Sequence, residues 1–370
     1  MTTRLTVSAA SGPYDVVIGT GLLSSAAELC SQAVSGRHAL IVADEQVATT
    51  HARAVLQSLE QAQWSVEMTT MVACESHKRM STVESIWQAA LAHRMDRHSV
   101  MIAVGGGITG DVAGFAGASF LRGIDVIQIP TTLLAMADAS VGGKTGVNVP
   151  LPGGDRVGKN LAGAFWPPKL VLADPATLAT LPPRDLVCGL AECIKHGVLS
   201  DPELLELIQN DAQALIQAEP QAIDRVLAHA VAVKIGVVAS DEREDGTRML
   251  LNLGHTFAHV IEPVASLDLR HGEAVAIGLM AAFYCSVQLG LVQDSYATRV
   301  QSLLESVSLP VRLSKAVSVD QLMDSMQFDK KVANGVVRLV LPTTSGALIR
   351  DDVSDDVVRS AWASVLPPIS

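Results

Sequence analysis

Apolar and polar positions change period repeatedly along the first half of the chain. The runs RLTV and YDVVIG flank the turn ASGP and read as two strands. HALIVA (38–43) is apolar from Ala39 on and ends at Asp44, the pattern of a buried strand. Residues 48–61 follow a helical period, WSVEMTTMV returns to a strand, and 81–95 is helical again. SVMIAV (99–104) and IDVIQI (124–129) are further strands. Strand–helix alternation of this kind predicts a parallel sheet covered by helices. From about residue 175 helical periodicity takes over, across 184–199, 203–217, 219–240, 253–264 and 271–289. VVRLVLP near residue 340 is a late strand candidate. The change of texture falls in DPATLATLPP and divides the chain into 1–178 and 179–370.

Composition fits this division. The 370 residues are 49% hydrophobic and only 4% aromatic, which suits two globular domains with large cores. A formal charge of −11 gives nucleic-acid binding no general electrostatic support, while leaving room for a basic pocket that takes a small anion. The five cysteines are scattered, odd in number and without CxxC spacing, so free thiols in a reducing compartment are expected. MTTRLTVSAASGPYDVV lacks the apolar core of a signal peptide, and no apolar run has the length of a membrane span. A cytoplasmic protein is expected, with no membrane or nucleic-acid partner.

Strand 99–104 runs into Gly105-Gly106-Gly107-Ile108-Thr109-Gly110-Asp111 and then a helical stretch. The spacing fits GxGxxG in a strand–turn–helix context, where a helix N-terminus can receive a phosphate. A tight structural turn is the plainer reading. No acidic residue stands at the next strand end, since Asp125 comes too early, so ribose contacts must come from elsewhere. Asp44 is a candidate, with a helix N-cap as its alternative role. Strand 124–129 leads into Pro130-Thr131-Thr132 and on to Asp138 and Gly142-Gly143-Lys144. Thr131 and Thr132 can bond a cofactor or cap a helix, Asp138 can be a solvated acid, and Lys144 can hold an anion. Gly158-Lys159-Asn160 adds a second cation and an amide on a loop.

The second half holds the candidates for a metal. Glu192 and Lys195 share a helix face in GLAECIKHG. His255, His259 and Glu262 form one stripe in LNLGHTFAHVIE, and His271 opens the next helix. Imidazole and carboxylate suit Zn²⁺ or a similar ion, and three protein ligands leave a position open. Four residues compete for those places, Glu192, His255, His259 and His271, and spacing does not choose among them. The protease motif HExxH fails because Thr256 stands where it needs Glu. Lys234, Arg248 and the pair Lys330-Lys331 are more often surface charges, yet cations beside these helices fit an anionic substrate.

Together the blocks GGGITGDVAGF, FLRGIDVIQIPTTLLAMADASVGGKTGVN, GKNLAGAFWPPK, TLPPRDLVCGLAECIKHG, LNLGHTFAHVIE, RHGEAVAIG and DKK resemble the 3-dehydroquinate synthase family of sugar phosphate cyclases, from about Asp44 to Gly346. The resemblance implies an α/β N-terminal nucleotide-binding domain with a parallel sheet, followed by an all-α C-terminal metal- and substrate-binding domain, in a homodimer. It implies NAD and Zn²⁺ or Co²⁺ as cofactors, with Glu192, His255 and His271 as metal ligands. NAD contacts carry over to Asp44, Glu75, Lys78, Gly106, Gly107, Asp111, Thr131, Thr132, Asp138, Lys159, Asn160 and Thr180. Substrate contacts carry over to Arg122, Asp138, Lys144, Lys195, Lys234, Arg248, Asn252, His259 and one of Lys330 and Lys331, with Arg122 a candidate to cross a dimer interface. The implied activity is conversion of 3-deoxy-D-arabino-heptulosonate 7-phosphate to 3-dehydroquinate and phosphate, a carbon–oxygen lyase step of the shikimate pathway. Rival readings are another sugar phosphate cyclase, or a metal-dependent polyol dehydrogenase of related fold. The chain departs from the family pattern at Gln46, Cys74 and Asp185, where Asn, Gly and Glu are usual, and in a longer segment over 150–157.

Overall fold

The strand and helix runs of the first half fold into three layers. The computed structural model describes residues 2–153, 157–243, 246–327, 332–333 and 336–368. Two compact units divide it, Met1–Leu181 and Pro182–Ser370.

The first unit contains β1 (Thr3–Val7), β2 (Tyr14–Ile18), β3 (His38–Asp44), β4 (Ser65–Met71), β5 (Val100–Gly105), β6 (Asp125–Pro130), β7 (Lys144–Pro150), β8 (Val157–Phe165) and β9 (Leu170–Ala173). Seven strands form one sheet in the order β1-β2-β9-β6-β5-β3-β4. Only the edge pair β1–β2 is antiparallel; the remaining pairings are parallel. The helices α1 (Ala26–Ala33), α2 (His51–Gln61), α3 (Met80–Ala92) and α4 (Gly107–Ser119) cover it. Residue parity along each strand decides which face it serves. Ala39, Ile41 and Ala43 of β3 join the core under α1 and α2, whereas Leu40 and Val42 join the core under α3 and α4. That division explains why residues 39–43 are apolar at every position. Complete burial of side chains such as Ile41 and Ile102 contributes about 1.5–3 kcal/mol each.

The hairpin β7–β8 was not visible in the hydrophobic pattern, because its strands are rich in glycine and polar residues. Lys159 and Asn160 therefore lie on a strand, where the sequence suggested a loop. The hairpin packs on α4 through glycine. A first side-chain carbon at Gly114 would lie 2.5 Å from Thr145 of β7, and one at Gly117 2.5 Å from Val126 of β6.

The second unit is mainly helical: α5 (Pro183–Ser200), α6 (Pro202–Asn210), α7 (Ala212–Ile216), α8 (Pro220–Ser240), α9 (His255–Ile261), α10 (His271–Gln288), α11 (Asp294–Ser306), α12 (Val319–Gln327) and α13 (Asp355–Ser364). The late apolar run becomes a hairpin of β12 (Leu339–Thr343) with β13 (Gly346–Arg350), after the short pair β10 (Val332–Ala333) and β11 (Val336–Val337). Residues 203–217 form two helices, broken at the poor helix formers Asn210-Asp211. Helix α9 is shorter than its periodic pattern. Gly254, at φ +78°, turns the chain into it and Pro263 ends it. Among the described residues no helix is long and apolar enough to cross a membrane.

Candidate functional site

In the second unit three helices bring the chosen ligand set together. Glu192 lies on α5, His255 is the first residue of α9, and His271 is the first residue of α10. One ligand atom from each falls within 4.8 Å of the others. Glu192 Oε1 lies 3.5 Å from His255 Nε2 and 3.4 Å from His271 Nε2. Bonds of about 2.0–2.1 Å at tetrahedral angles would hold ligand atoms roughly 3.3 Å apart, so these spacings match a metal such as Zn²⁺. Both imidazoles are oriented from behind. His255 Nδ1 is 3.2 Å from the Leu253 carbonyl, and His271 Nδ1 is 3.4 Å from Glu262 Oε2. Such partners would fix the tautomer that leaves Nε2 facing a bound metal. Glu262, seen in the sequence only as part of a helix stripe, is thus the residue that orients His271.

Electrostatics distinguishes the two histidines in the metal-free cluster. Burial drives the pKa of His255 well below the ordinary histidine value, against the pull of Glu192 and with Lys195 and His271 adding to the drop. Burial opposes charge on His271 too, but hydrogen bonds with Glu192 and Glu262 outweigh it and raise its pKa to about 9. Glu192 has no exposed surface and pairs with the ammonium of Lys195, one turn on. His259 sits a turn beyond His255, their ring centroids 5.5 Å apart. It lies outside the three-residue cluster.

The other cations of this unit are more buried than surface charges would be. Lys234 on α8 is 5% exposed and Arg248, in the short helical segment Thr247–Asn252, is 1% exposed. The Arg248 guanidinium donates to the Glu242 carbonyl, and its backbone N–H to Asp241 Oδ2 at 3.0 Å. Asn252 ends the same segment. Asp185 pairs with Arg270 through its carboxylate. Lys330 and Lys331 lie outside the described residues.

In the first unit the candidates gather at the carboxyl ends of strands. Gly106 is the N-cap of α4 and offers no side chain to cap it. A side chain at Gly106 would press on Thr132 at 3.2 Å, and one at Gly107 on Ala139 at 3.1 Å. The Thr131 N–H donates to the Gly105 carbonyl at 2.9 Å, tying the two loops together. Thr132 Oγ1 accepts from the Ala135 N–H at 3.2 Å, and Asp138 lies in a π-helical turn, Ala135–Ala139. Asp44 is not a helix N-cap; its Oδ1 accepts from the Gln46 N–H at 3.2 Å. Thr180 Oγ1 lies 2.7 Å from His51 Nε2. Lys144 is exposed at the start of β7, and Arg122 is exposed at φ +70°.

A cavity of about 290 Å³ in this unit is lined by Glu75, Lys78, Asn148 and Lys159 among others. The ammonium of Lys78 pairs with Asp111 of α4. Asn148, absent from the sequence-based candidates, organises the wall. Its Nδ2 donates to Glu75 Oε1 at 2.8 Å, its Oδ1 accepts from the Asn160 N–H at 2.8 Å, and its own N–H donates to the Lys78 carbonyl at 2.7 Å. No local signal marks it, because it acts by joining three candidates distant in sequence.

Two family models match the chain: 3-dehydroquinate synthase N-terminal over residues 68–188 and 3-dehydroquinate synthase C-terminal over residues 189–332. A 3-dehydroquinate synthase of a Synechococcus species is 44% identical over 354 residues, covering 94% of each chain. That of Nostoc punctiforme is 39% identical over 363 residues, covering 97% of this chain and 98% of its own. Among solved structures, 2-epi-5-epi-valiolone synthase from Streptomyces hygroscopicus, with NAD+ and Zn2+ bound, superposes with a TM-score of 0.85 at 31% identity, covering 95% of this chain and 96% of its own.

Proposed function

The chain belongs to the 3-dehydroquinate synthase family, and we propose that it converts 3-deoxy-D-arabino-heptulosonate 7-phosphate to 3-dehydroquinate and phosphate, as a carbon–oxygen lyase of the shikimate pathway. The observation that carries the reading is the set Glu192, His255 and His271 with one ligand atom of each within 4.8 Å of the others, each histidine held by a second partner. NAD and a Zn²⁺ or Co²⁺ ion fit the residues present; NAD supplies a reversible hydride acceptor, and the metal polarises the carbinol that gives up the hydride.

The chain's own groups do the rest. Glu192, His255 and His271 would hold the metal, and Lys195 balances the buried charge of Glu192. Lys234 and Arg248 are buried cations suited to the substrate's carboxylate and phosphate, with Lys144 a further cation for them. Asn252, His259 and Asp138 are assigned to the same substrate. Arg122 is assigned to the substrate of a neighbouring copy in a homodimer. Once the ring carbinol is a ketone, the adjacent C–H is acidic, and phosphate leaves by β-elimination, taking the proton. With the hydride restored by the nucleotide that the first unit would hold, the ring would open and an intramolecular aldol reaction would close the carbocycle. Holding the open chain in one conformation favours the correct closure. Glu75, Lys78, Asp111, Lys159 and Asn160 are assigned to NAD, with Asp44, Gly106, Gly107, Thr131, Thr132 and Thr180. The enzyme works in the cytoplasm.

The test is an incubation of metal-loaded, NAD-loaded protein with the heptulosonate phosphate. Phosphate release without accumulating NADH, stopped by a chelator, is expected. Net NADH production would favour a polyol dehydrogenase, and no phosphate release would sink the cyclase reading. A heptulose phosphate lacking the carboxylate should be a poor substrate, because the buried cations would lose their partner.

A further inference from the structure

Helices α5 and α10 meet through a repeating set of contacts that ends at the candidate metal. Arg184, Cys188 and Glu192 are four residues apart and share one face of α5. They meet three consecutive residues at the start of α10. Arg184 donates from Nε and Nη2 to the two carboxylate oxygens of Glu273, at 2.6 and 2.7 Å. Gly272 lies on the backbone of Cys188, where an added side-chain carbon would come within 2.2 Å of the Cys188 carbonyl oxygen. His271 reaches Glu192 at 3.4 Å. Arg184 also donates to the Asp268 carbonyl, in the loop just before α10, and Asp268 is held there at φ +49°. The same Glu273 carboxylate accepts from the Arg270 N–H at 2.9 Å and so caps the first turn of α10, which carries His271.

We propose that Arg184 is a positioning residue for the metal: its two-pronged bond to Glu273 fixes the register of α10 against α5 and so holds His271 on Glu192. The inference rests on the reading of Glu192, His255 and His271 as metal ligands. The Arg184 fork is partly exposed, so its contribution to global stability is small. Its effect lies in geometry. A lysine can supply the charge but not the two parallel bonds. With Gly272 leaving no slack at the middle contact, a shift at Glu273 is passed on to His271 as a shift of the first turn.

The experiment titrates Co²⁺ into the metal-free full chain, reading the visible absorption of the ion, for the parent, Arg184→Met, Arg184→Lys and His271→Ala. Metal-free melting temperatures are recorded beside them. Loss of an outer partner of a ligand typically weakens metal binding by about 10–100-fold, and Arg184→Met should fall in that range. Arg184→Lys should recover part of the loss, and the metal-free melting temperature should stay at the parent value. Turnover of Arg184→Met should return at saturating Co²⁺. Parent-like affinity in Arg184→Met would overturn the inference. So would losses in both variants that merely follow a lower metal-free melting temperature. Should Arg184→Met fail to fold, Glu273→Gln removes the same fork and takes its place. A parent that binds Co²⁺ no better than His271→Ala would overturn the metal reading itself, whereas a parent that binds normally beside an unaffected Arg184→Met overturns only the positioning role.

Discussion

The glycine-rich turn of the first unit and the histidine cluster of the second are built in opposite ways. Residues 105–111 are contiguous, and the groups around them arrive from neighbouring strand ends, as in other open parallel sheets. Contacts there are numerous and individually modest: Asn148 to Glu75, Asn160 and Lys78, and Lys78 to Asp111. The cluster of the second unit draws one ligand from each of three helices, and each is fixed by a partner outside the cluster. A distributed site should weaken by degrees when one group is removed. A site made of three ligands should fail outright.

The largest effect therefore belongs to the ligands. His271→Ala is expected to lose metal and to abolish turnover, whereas His259→Ala should keep the metal and lose turnover. His259 is a turn away from His255 and outside the three-residue cluster. Metal analysis after dialysis, beside steady-state rates, separates the two. Equal metal retention in both variants would break the contrast between the regions as well as the ligand assignment. A three-ligand centre with an open position cannot give up one ligand at little cost, because only two protein ligands would then remain.

How much of this could be read beforehand also differs between the regions. The β–α alternation and most strands were legible, because HALIVA and IDVIQI are runs that only a two-faced core requires. Parity along β3 then sorted itself into two cores, which needs three dimensions to see. The hairpin β7–β8 was hidden, since glycines that let it approach α4 carry no hydrophobic signal. At the metal centre, local spacing left four candidates, and His255 and His259 looked equivalent one turn apart. What distinguishes them is the direction from which Glu192 approaches, a property of the packing of α5 rather than of α9. The family resemblance implies Glu192, His255 and His271, and these are three residues that the packing brings together. Asn148 and Arg184 escaped both routes; each acts by joining residues remote in sequence. Lys234 and Arg248 look like surface charges by local pattern alone; the resemblance made them substrate candidates, and both are buried.

Asn148→Ala probes the distributed region. It removes a donor to Glu75 and an acceptor for Asn160, and a hydrogen bond to a charged group contributes about 1.5–3 kcal/mol. NAD affinity should fall by roughly 10–100-fold on that basis, with turnover recovered at saturating NAD. Fluorescence titration with NAD, followed by rates at several NAD concentrations, gives both quantities. A variant that loses turnover irrecoverably would show that this wall works as an all-or-none unit, as the ligand cluster does.

The smallest effect tests whether the nucleotide side is as open as the cavity beside Glu75 implies. Cys74 precedes Glu75, and its Sγ lies 3.1 Å from Ser76 Oγ and 2.9 Å from His77 Nδ1. Those hydrogen bonds, Ser76 first and His77 next, lower its pKa to about 7. Burial instead raises Cys30 to about 12, Cys188 to about 11 and Cys285 to about 12. The thiolate is the nucleophile, so alkylation of Cys74 by iodoacetamide should climb with pH through a midpoint near 7 and level off above it. Those three thiols, and the equally buried Cys193, should stay unmodified in the native protein across the same range. Peptide mapping by mass spectrometry reads all five cysteines at once. A Cys74 midpoint near the free-thiol value of about 8.5 would mean that the Ser76 and His77 contacts do not persist in solution. Slower alkylation in the presence of NAD, at unchanged midpoint, would place the cofactor over Glu75; a rate indifferent to NAD would move it away from this cavity and leave Asn148 a purely structural residue.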